Sequence, residues 1–324
     1  MVSLLSPKTI EDKILENFAE YISLFGEFQS EFLLGLNQRY QNLENGKLVI
    51  YFAKKTHQSI LRKKEYDFNF NLSFDRFWQN HSEIQIEQTT IKTISNDTQL
   101  AKETARRKIL ELIKQKVLNR ESKLIKWLPT EQYKKSYNEF VGNEIIHIAR
   151  LIKYVCNKIN IKISQNNIEN EIKNKFSFYW FHYLDAQLRY MSLWKKQLQD
   201  LEVLLIALQI STAQANKVRI NNLSDDLYED SKMIGTFFAN KKASLSATSI
   251  SDITGIPRAT CIRKLSAMTE SKMVEQDNIT KRYSLGAEAF TQDFASKKAT
   301  HEVVKVYSEF YFICLRALTA KPLN

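Results

Sequence analysis

Glycine, proline and cysteine are scarce in this chain, and the short motifs that carry common catalytic chemistry are missing. Seven glycines and four prolines occur among 324 residues, and the glycines stand apart, so they cannot form a phosphate-binding loop. The nucleophile motif GxSxG and the zinc motif HExxH do not occur either. Cys156, Cys261 and Cys314 form no CxxC pair, which argues against a disulfide framework and a zinc site. We therefore expect that the protein is not an enzyme and needs no cofactor or metal.

Long hydrophobic runs are also missing. No apolar stretch approaches the roughly 18 residues that a membrane-spanning helix requires. Residues 1–18 lack the basic region, apolar stretch and cleavage site of an export signal. We therefore expect a cytoplasmic protein without a membrane partner. With 44% apolar and 26% charged residues, the composition is that of a globular protein rather than a disordered one.

Basic residues exceed acidic residues, 47 against 36, which gives a formal net charge of +11. A charge of this sign suits a polyanionic partner such as nucleic acid. The chain is also rich in lysine, asparagine and isoleucine throughout, and such a bias would raise the charge without any binding role. The distribution of the charge must therefore decide between these two explanations.

The chain repeats itself. The stretch ISNDTQLAKETARRKIL (94–110) aligns without a gap with ISDITGIPRATCIRKLS (250–266), a shift of 156 residues. Near the end of each half, EIIHIARLIKYVC (144–156) aligns with EVVKVYSEFYFIC (302–314) at a shift of 158 residues. Matches in the same order at a nearly constant shift indicate the tandem duplication of a whole domain.

The second copy contains a sharp bend between two helices. A short helix over 249–254 is expected to end at Gly255, because glycine adopts the left-handed conformation that stops a helix without steric cost. Pro257 then suits the first turn of the next helix, where its missing N–H would have had no partner. The two residues therefore mark a helix–turn–helix.

The helix that follows Pro257 has an inner and an outer face. Cys261, Leu265 and Met268 recur four and three residues apart, so we expect them to face inward. Three residues of the preceding stretch are expected to face the same way: Ile250, Ile253 and Ile256. The outward positions near the helix start are then Arg258, Ala259, Thr260 and Arg263, together with Lys264. This is the layout of a helix–turn–helix whose second helix enters the major groove of DNA.

A β-hairpin is predicted after each of these helix pairs. In the second copy Asp277 and Asn278 supply the turn, and Ile279 lies on the return side. In the first copy the turn is expected at residues 120–122.

The segment DITGIPRATCIRKLSAMTESKMVEQDNITKRYSL resembles the DNA-reading head of winged-helix transcriptional regulators of the MarR and IclR kind. The resemblance implies that the second helix reads bases while the hairpin, called the wing, contacts the backbone or the minor groove. In the second copy the implied DNA-binding residues are Pro257, Arg258, Ala259, Thr260 and Arg263 on the helix, with Lys281 and Arg282 in the wing. In the first copy the corresponding DNA-binding residues are Lys102, Thr104, Arg107, Lys123 and Lys126.

The first copy departs from this pattern. Gln99 and Ala101 replace the glycine and the proline of the second copy, so its turn must be made without the usual residues. Glu103 stands where the second copy has an alanine. A carboxylate there repels phosphate, although it can accept a hydrogen bond from cytosine N4.

Positive charge is concentrated in the two similar segments. Residues 90–130 hold ten Lys and Arg against four Asp and Glu, and residues 241–285 hold eight against four. The two net charges, +6 and +4, account for ten of the eleven net charges of the chain. A diffuse compositional bias would not produce this distribution, which favours DNA as the partner.

The expected fold is mainly α, with two tandem helical domains that each carry a winged helix-turn-helix with a small β-hairpin, arranged as an intramolecular pseudo-dimer. The first domain (1–160) comprises a helical scaffold (8–90), a winged helix (91–130) and a closing helix (131–159). The second domain (161–324) comprises a helical scaffold (165–240), a winged helix (241–286) and a closing helix (291–320).

We expect a sequence-specific, double-stranded DNA-binding transcriptional regulator, a monomer whose two heads supply the paired contact that others obtain by dimerisation. Two alternatives stay open: a plasmid-type replication initiator with tandem winged helices, and a winged-helix module that binds protein, above all through the first head. A small-molecule effector is also open, since the aromatic residues over 176–183 form either its pocket or inter-helix core. Further dimerisation of the pseudo-dimer is a last alternative.

Overall fold

The computed structural model describes residues 5–84, 89–220, 244–286 and 295–320, and over these residues the protein is mainly helical, as predicted. The helices of the first half are α1 (Pro7–Glu16), α2 (Phe18–Tyr40), α3 (Leu43–Tyr66), α4 (Phe77–Glu83), α5 (Ile91–Thr98), α6 (Lys102–Lys114) and α7 (Glu131–Lys158). Those of the second half are α8 (Gln165–Asn174), α9 (Phe176–Leu198), α10 (Leu201–Ile220), α11 (Ala247–Thr254), α12 (Arg258–Glu270) and α13 (Ala295–Thr319). None of the helices in the described ranges is both long and apolar enough to cross a membrane.

Two antiparallel hairpins complete the regular structure of the described residues. Their strands are β1 (Asn119–Glu121) with β2 (Leu124–Lys126) and β3 (Val274–Gln276) with β4 (Tyr283–Leu285). A residue ahead of each helix pair adds a single bridge to the hairpin: Thr89 pairs with Ile125, and Leu245 pairs with Tyr283. We call residues 89–127 and 245–285 the first and second helix–hairpin segments.

Corresponding elements of the two halves have matching lengths. α1 and α8 have ten residues each, and α2 and α9 have 23 each, at a shift of 158 residues. α5 and α11 have eight residues each, and α6 and α12 have 13 each, at a shift of 156. The left-handed conformation also recurs after the long helices, at Gln41 (φ 64°) and Gln199 (φ 60°). The recurrence extends the similarity beyond the residues that align in sequence.

The chain forms two compact units that divide it differently from the predicted domains. The first unit comprises Met1–Leu43 and Leu193–Lys305, and the second comprises Glu44–Ser192 and Val306–Asn324. The leading helices α1 and α2 thus belong with the second helix–hairpin segment, whereas α8 and most of α9 belong with the first. Sequence similarity identifies the two copies, but it cannot tell which copy a helix packs against, since equivalent helices have equivalent apolar faces. Parts of the predicted domains lie outside the described residues. They are 85–88 of the first helical scaffold, 221–240 of the second scaffold, 241–243 of the second winged helix and 291–294 of the second closing helix.

In the first unit, α2 packs along α10, and α10 also contacts the second helix–hairpin segment. Gln209 Nε2 of α10 donates to Ser30 Oγ of α2 (2.8 Å) within the buried contact. Gln214 Oε1, also on α10, accepts from the N–H of Leu285 in β4 (2.9 Å). A buried amide therefore attaches the hairpin to the long helix behind it.

In the second unit, aromatic side chains fill the core beneath the first hairpin. Trp127, which follows β2, is fully buried and lies edge-on to His81 and Tyr137 (ring centroids 5.5 and 5.4 Å away). Trp180 Nε1 donates to Tyr137 Oη (3.1 Å). Four of the aromatic residues over 176–183 are buried in this core: Phe176, Tyr179, Trp180 and Tyr183. These four side chains are therefore inter-helix core, one of the two roles expected for this stretch.

Candidate nucleic-acid interface

The first helix of each helix–hairpin segment starts in the same way. Thr90 Oγ1 accepts a hydrogen bond from the N–H of Thr93 at the start of α5 (3.3 Å). Ser246 Oγ accepts from the N–H of Ser249 at the start of α11 (3.0 Å). Both hydroxyl groups are N-caps, which satisfy a backbone donor that has no partner inside the helix.

The turn between the two helices has the same backbone shape in both copies. Gly255 follows α11 with φ 71°, so the predicted left-handed end of this helix is confirmed. Gln99 follows α5 with φ 58°, which shows that the first copy makes the same turn with a glutamine. A serine hydroxyl closes each turn by donating to a backbone carbonyl oxygen at 2.7 Å, from Ser95 in the first copy and Ser251 in the second.

Pro257 has a different place from the predicted one. It is the N-cap residue of α12, with φ −52° and ψ 133°, rather than a residue of the first helical turn. Neither Pro257 nor Ala101, the N-cap of α6, provides a side-chain hydrogen bond to the helix that it precedes. The first N–H groups of both second helices therefore lack the capping hydroxyl that α5 and α11 possess, and such donors suit an anion.

The two faces of α12 separate largely as predicted. The implied contact residues Pro257, Arg258, Ala259 and Arg263 are exposed, and Thr260 is half-buried. The inner positions Cys261, Leu265 and Met268 are buried. Ile253 is 39% exposed, so the prediction that it faces inward is wrong. The buried stripe of α11 runs through Ile250 and Thr254, and Ile253 falls to the side of that stripe.

Arg258 is oriented by the helix that precedes it. Its Nε donates to Thr248 Oγ1 on α11 (3.1 Å), while the residue stays exposed. The two terminal nitrogens of the guanidinium are not used in this bond. Because they form a rigid fork, they can still make a bidentate contact.

Lys264 faces the interior, contrary to the prediction. Its side chain is 8% exposed, and its Nζ pairs with Asp200 and with Glu202 Oε2 (3.0 Å) at the start of α10. Burial alone would lower the pKa of Lys264, but the two carboxylates raise that pKa above its ordinary value. Burial alone would raise the pKa of Asp200, but Lys264 holds it below its ordinary value. Lys264 therefore attaches α12 to α10 and does not belong to the outer face.

The outer face of α6 carries both signs of charge. Lys102 and Arg107 are exposed, and Thr104 is half-buried. Glu103 has a side chain that is 79% exposed, and its Oε2 lies 3.6 Å from Nη1 of Arg106. The equivalent position of α12 is an alanine, so the two outer faces differ in charge where they begin.

The first hairpin presents one lysine at its tip and holds another in an ion pair. Its turn lies at Ser122 and Lys123, so the turn predicted at 120–122 is displaced toward the C-terminus. Ser122 takes the left-handed conformation (φ 57°), and Lys123 is exposed. Lys126 is half-buried, with its Nζ 2.7 Å from Glu121 Oε2 on the opposite strand.

The second hairpin has a longer turn than predicted. It spans Asp277 to Arg282 between β3 and β4. Ile279 lies in this turn and is 92% exposed, so the prediction that it belongs to the return strand is wrong. Lys281 and Arg282 are exposed at the end of the turn, and Arg282 Nε donates to the carbonyl oxygen of Ser244 (2.9 Å).

Comparison of the chain with protein-family models, curated proteins and solved structures found no match. The outer faces of α6 and α12, with the two hairpins, must therefore be interpreted from their own geometry and charge. In the described ranges, no group of three or more His, Cys, Asp or Glu residues is arranged to hold a metal ion. The three cysteines are buried, and none of them forms a disulfide.

Two long-range contacts that hold the helix pairs in place are not evident from the sequence. In the second unit, Lys47 Nζ of α3 donates to the carbonyl oxygen of Thr98, the last residue of α5 (3.1 Å). In the first unit, Asn37 Nδ2 of α2 donates to the carbonyl oxygen of Thr254, the last residue of α11 (2.9 Å). Both donors satisfy a carbonyl group at a helix C-terminus, where the backbone has no partner of its own.

Proposed function

We propose that the protein is a sequence-specific, double-stranded DNA-binding regulator that carries two winged-helix heads in one chain. In this proposal each helix–hairpin segment is a head, α6 and α12 are the reading helices, and the hairpins are the wings. The single bridges made by Thr89 and Leu245 attach the start of each segment to its own hairpin. The observation that carries the proposal is the recurrence of this unit with exposed cations on the outer helix face and at the hairpin tip.

The outer face of α12 supports base reading by the second head. Arg258 and Arg263 are exposed within the first two turns of the helix, where a reading helix approaches base edges. Each guanidinium can donate two hydrogen bonds to guanine O6 and N7, and Ala259 can contact a thymine methyl group. The uncapped N–H groups at the start of α12 suit a phosphate of the same groove wall.

The first head is expected to prefer a different half-site. Lys102 and Arg107 supply cations, but Glu103 places a carboxylate among them. A carboxylate accepts from cytosine N4 and repels phosphate. The whole site should therefore be an imperfect palindrome or a composite of two unlike halves.

The wing cations are expected to contact phosphates unequally. Lys123 and Lys281 lie exposed in the turns of their hairpins. Lys126 is paired with Glu121, and Arg282 uses Nε for a backbone carbonyl. The two turn lysines should therefore contribute more to the salt dependence of binding than the other two cations.

The composition of the compact units supports an intramolecular pseudo-dimer. Each unit combines leading helices of one half with the head of the other half, which is the reciprocal exchange found in intertwined dimers. Joining the two heads in one chain gives the second contact a high effective concentration without a dimerisation equilibrium.

The test starts with duplex fragments selected from a random pool by the purified full-length protein. Binding of the enriched duplex is then measured by fluorescence anisotropy over a range of salt concentrations. Arg263→Ala should cost about 1–3 kcal/mol and relax the preference at one base pair. Lys281→Ala should lower the slope of log affinity against log salt by about 0.9.

The matched control is Lys298→Ala, which removes an exposed lysine of α13 outside both heads. It should change neither the base preference nor the salt slope. If the selection enriches no sequence, specific recognition is refuted. If the control weakens binding as much as the two head variants, the assigned surface is wrong.

A further inference from the structure

The turn of the second hairpin displays a large aliphatic side chain. Ile279 is 92% exposed, more than any other large apolar side chain among the described residues. An isolated exposed apolar residue is common on protein surfaces and by itself indicates nothing. Ile279 differs because its turn is ordered by side-chain hydrogen bonds and lies beside exposed cations.

Asp277 organises the turn around Ile279. Its Oδ1 accepts from the N–H of Ile279 (3.0 Å), the N–H of Thr280 (2.6 Å) and the hydroxyl of Thr280 (2.8 Å). The base of the turn is closed by two backbone bonds of 2.9 Å, from Asp277 N–H to the Arg282 carbonyl and from Lys281 N–H to the Asp277 carbonyl. Ile279 is thus presented by a preorganised loop, so a partner would not need to order the loop on binding.

The residues beside Ile279 in the turn are polar or charged. Asn278 and Thr280 flank it directly and are exposed, and the cations Lys281 and Arg282 follow. A protein partner would be expected to need a wider apolar patch around such an anchor. A narrow apolar tip with adjacent cations instead fits the minor groove of DNA, where cations meet the phosphates of the walls and an aliphatic side chain can wedge between base steps.

We propose that Ile279 enters the minor groove and bends the duplex at a deformable pyrimidine–purine step beside the half-site of the second head. This inference rests on the proposed function. Pyrimidine–purine steps unstack at low cost, so they accept such a wedge most readily. The tip of the first hairpin carries Ser122 and Lys123 and no aliphatic side chain. The bend should therefore lie at one end of the site.

The experiment uses the full-length protein and the duplex enriched by selection, labelled at both ends for energy transfer. The wild-type protein should bend this duplex by an angle in the range of about 20–90°. Ile279→Ala should bend it less and bind it about five- to tenfold more weakly. The differences in bending and affinity between Ile279→Ala and the wild type should vanish when the pyrimidine–purine step, TA or CA, is replaced by a stiff AA step. Ile279 then has no deformable step to enter.

Ile146→Ala is the matched control, since it truncates a partly exposed isoleucine on α7, outside both helix–hairpin segments. It should leave the bend angle unchanged. Ile279→Ala should unfold at the temperature of the wild type, since its side chain lies outside the core. If the wild type binds but does not bend the duplex, or if Ile279→Ala bends it equally, the wedge is refuted while the proposed function stands. If the wild type selects no duplex, both proposals fail.

Discussion

Lys108 and Lys264 occupy equivalent positions in α6 and α12, and both extend inward to carboxylate groups. Lys108 Nζ lies 3.4 Å from Glu111 Oε2, and Lys264 Nζ lies 3.0 Å from Glu202 Oε2. Their side chains are 11% and 8% exposed. One basic residue in each segment is therefore structural, and the charge available to a partner is lower than the sequence count suggests.

Removing Lys264 should destabilise the first unit. Lys264→Met leaves Asp200 and Glu202 without their cation, although both are partly exposed and water offsets part of the loss. The free energy of unfolding, measured by urea denaturation, should fall by about 1–3 kcal/mol. The control Lys298→Met, at an exposed position, should change stability by less than about 0.5 kcal/mol. Equal stability of the two variants would contradict a structural role for Lys264.

Gly255 and Gln99 both adopt the left-handed conformation, so exchanging glycine for a side chain at one and a side chain for glycine at the other should change stability in opposite directions. Gly255 has φ 71°, and a Cβ added to it would meet no atom within 4 Å, so Gly255→Ala tests backbone strain alone. We expect that change to cost about 1–2 kcal/mol. Gln99 has φ 58°, so Gln99→Gly should relieve the same strain and stabilise the protein by about 0.5–1 kcal/mol.

Urea denaturation of both variants checks the pair. Gln115→Gly is the control, because Gln115 follows α6 with a negative φ of −75°. Gln115→Gly should therefore not raise the free energy of unfolding. Destabilisation by Gln99→Gly would mean that the side chain of Gln99 contributes more than its backbone strain costs.

Gly255 and Gln99 make the same turn, but only the turn at Gly255 can be predicted from its local sequence. The turn at Gly255 is predictable, because glycine is the residue that adopts a left-handed conformation at least cost. The same turn at Gln99 is visible only through the alignment of the two copies, since glutamine gives no local signal for positive φ. The inner face of α12 is predictable for a similar reason: Cys261, Leu265 and Met268 follow the helical period.

The features that could not be predicted from the sequence depend on contacts between residues far apart in the chain. Lys264 is polar and lies beside an apolar position, so periodicity cannot tell whether it faces solvent or a carboxylate more than sixty residues away at Asp200. Asn37 caps a helix more than two hundred residues further along the chain, at Thr254. The division of the chain into compact units depends on contacts of this kind, which a single sequence does not encode in any local pattern.

Buried histidines predict loss of stability on acidification. His57 is fully buried, stacked on Phe77 (ring centroids 4.6 Å apart), and neither ring nitrogen has a hydrogen-bond partner among the described residues. Burial, and then the charge of His81, lowers the pKa of His57 well below its ordinary value. Burial also lowers the pKa of His81 to about 4, and nearby Lys134 adds to this effect.

The sign of the pH effect follows from these lowered pKa values. Below about pH 6.5 the unfolded chain binds protons that the folded chain does not bind. The free energy of unfolding should therefore fall as the pH drops from about 6.5 towards 4, by up to about 1.4 kcal/mol per pH unit for each histidine. His57→Phe should flatten this dependence in urea denaturation series at several pH values. An unchanged slope in His57→Phe would contradict a neutral His57 in the folded state.

Substitution of Glu103 tests whether the first head binds DNA or protein. Glu103 is 79% exposed at the start of α6 and lies 3.6 Å from Arg106. Glu103→Ala removes the repulsion of phosphate and leaves Arg106 without this carboxylate. Affinity for a duplex of random sequence, which offers Glu103 no selected cytosine, should therefore rise several-fold, with a slope against log salt steeper by up to about 0.9. Glu270→Ala makes the same change in net charge at the exposed end of α12, away from the reading faces, and should have a smaller effect. Equal effects of the two variants would mean that only overall charge matters, which would favour a protein partner for the first head.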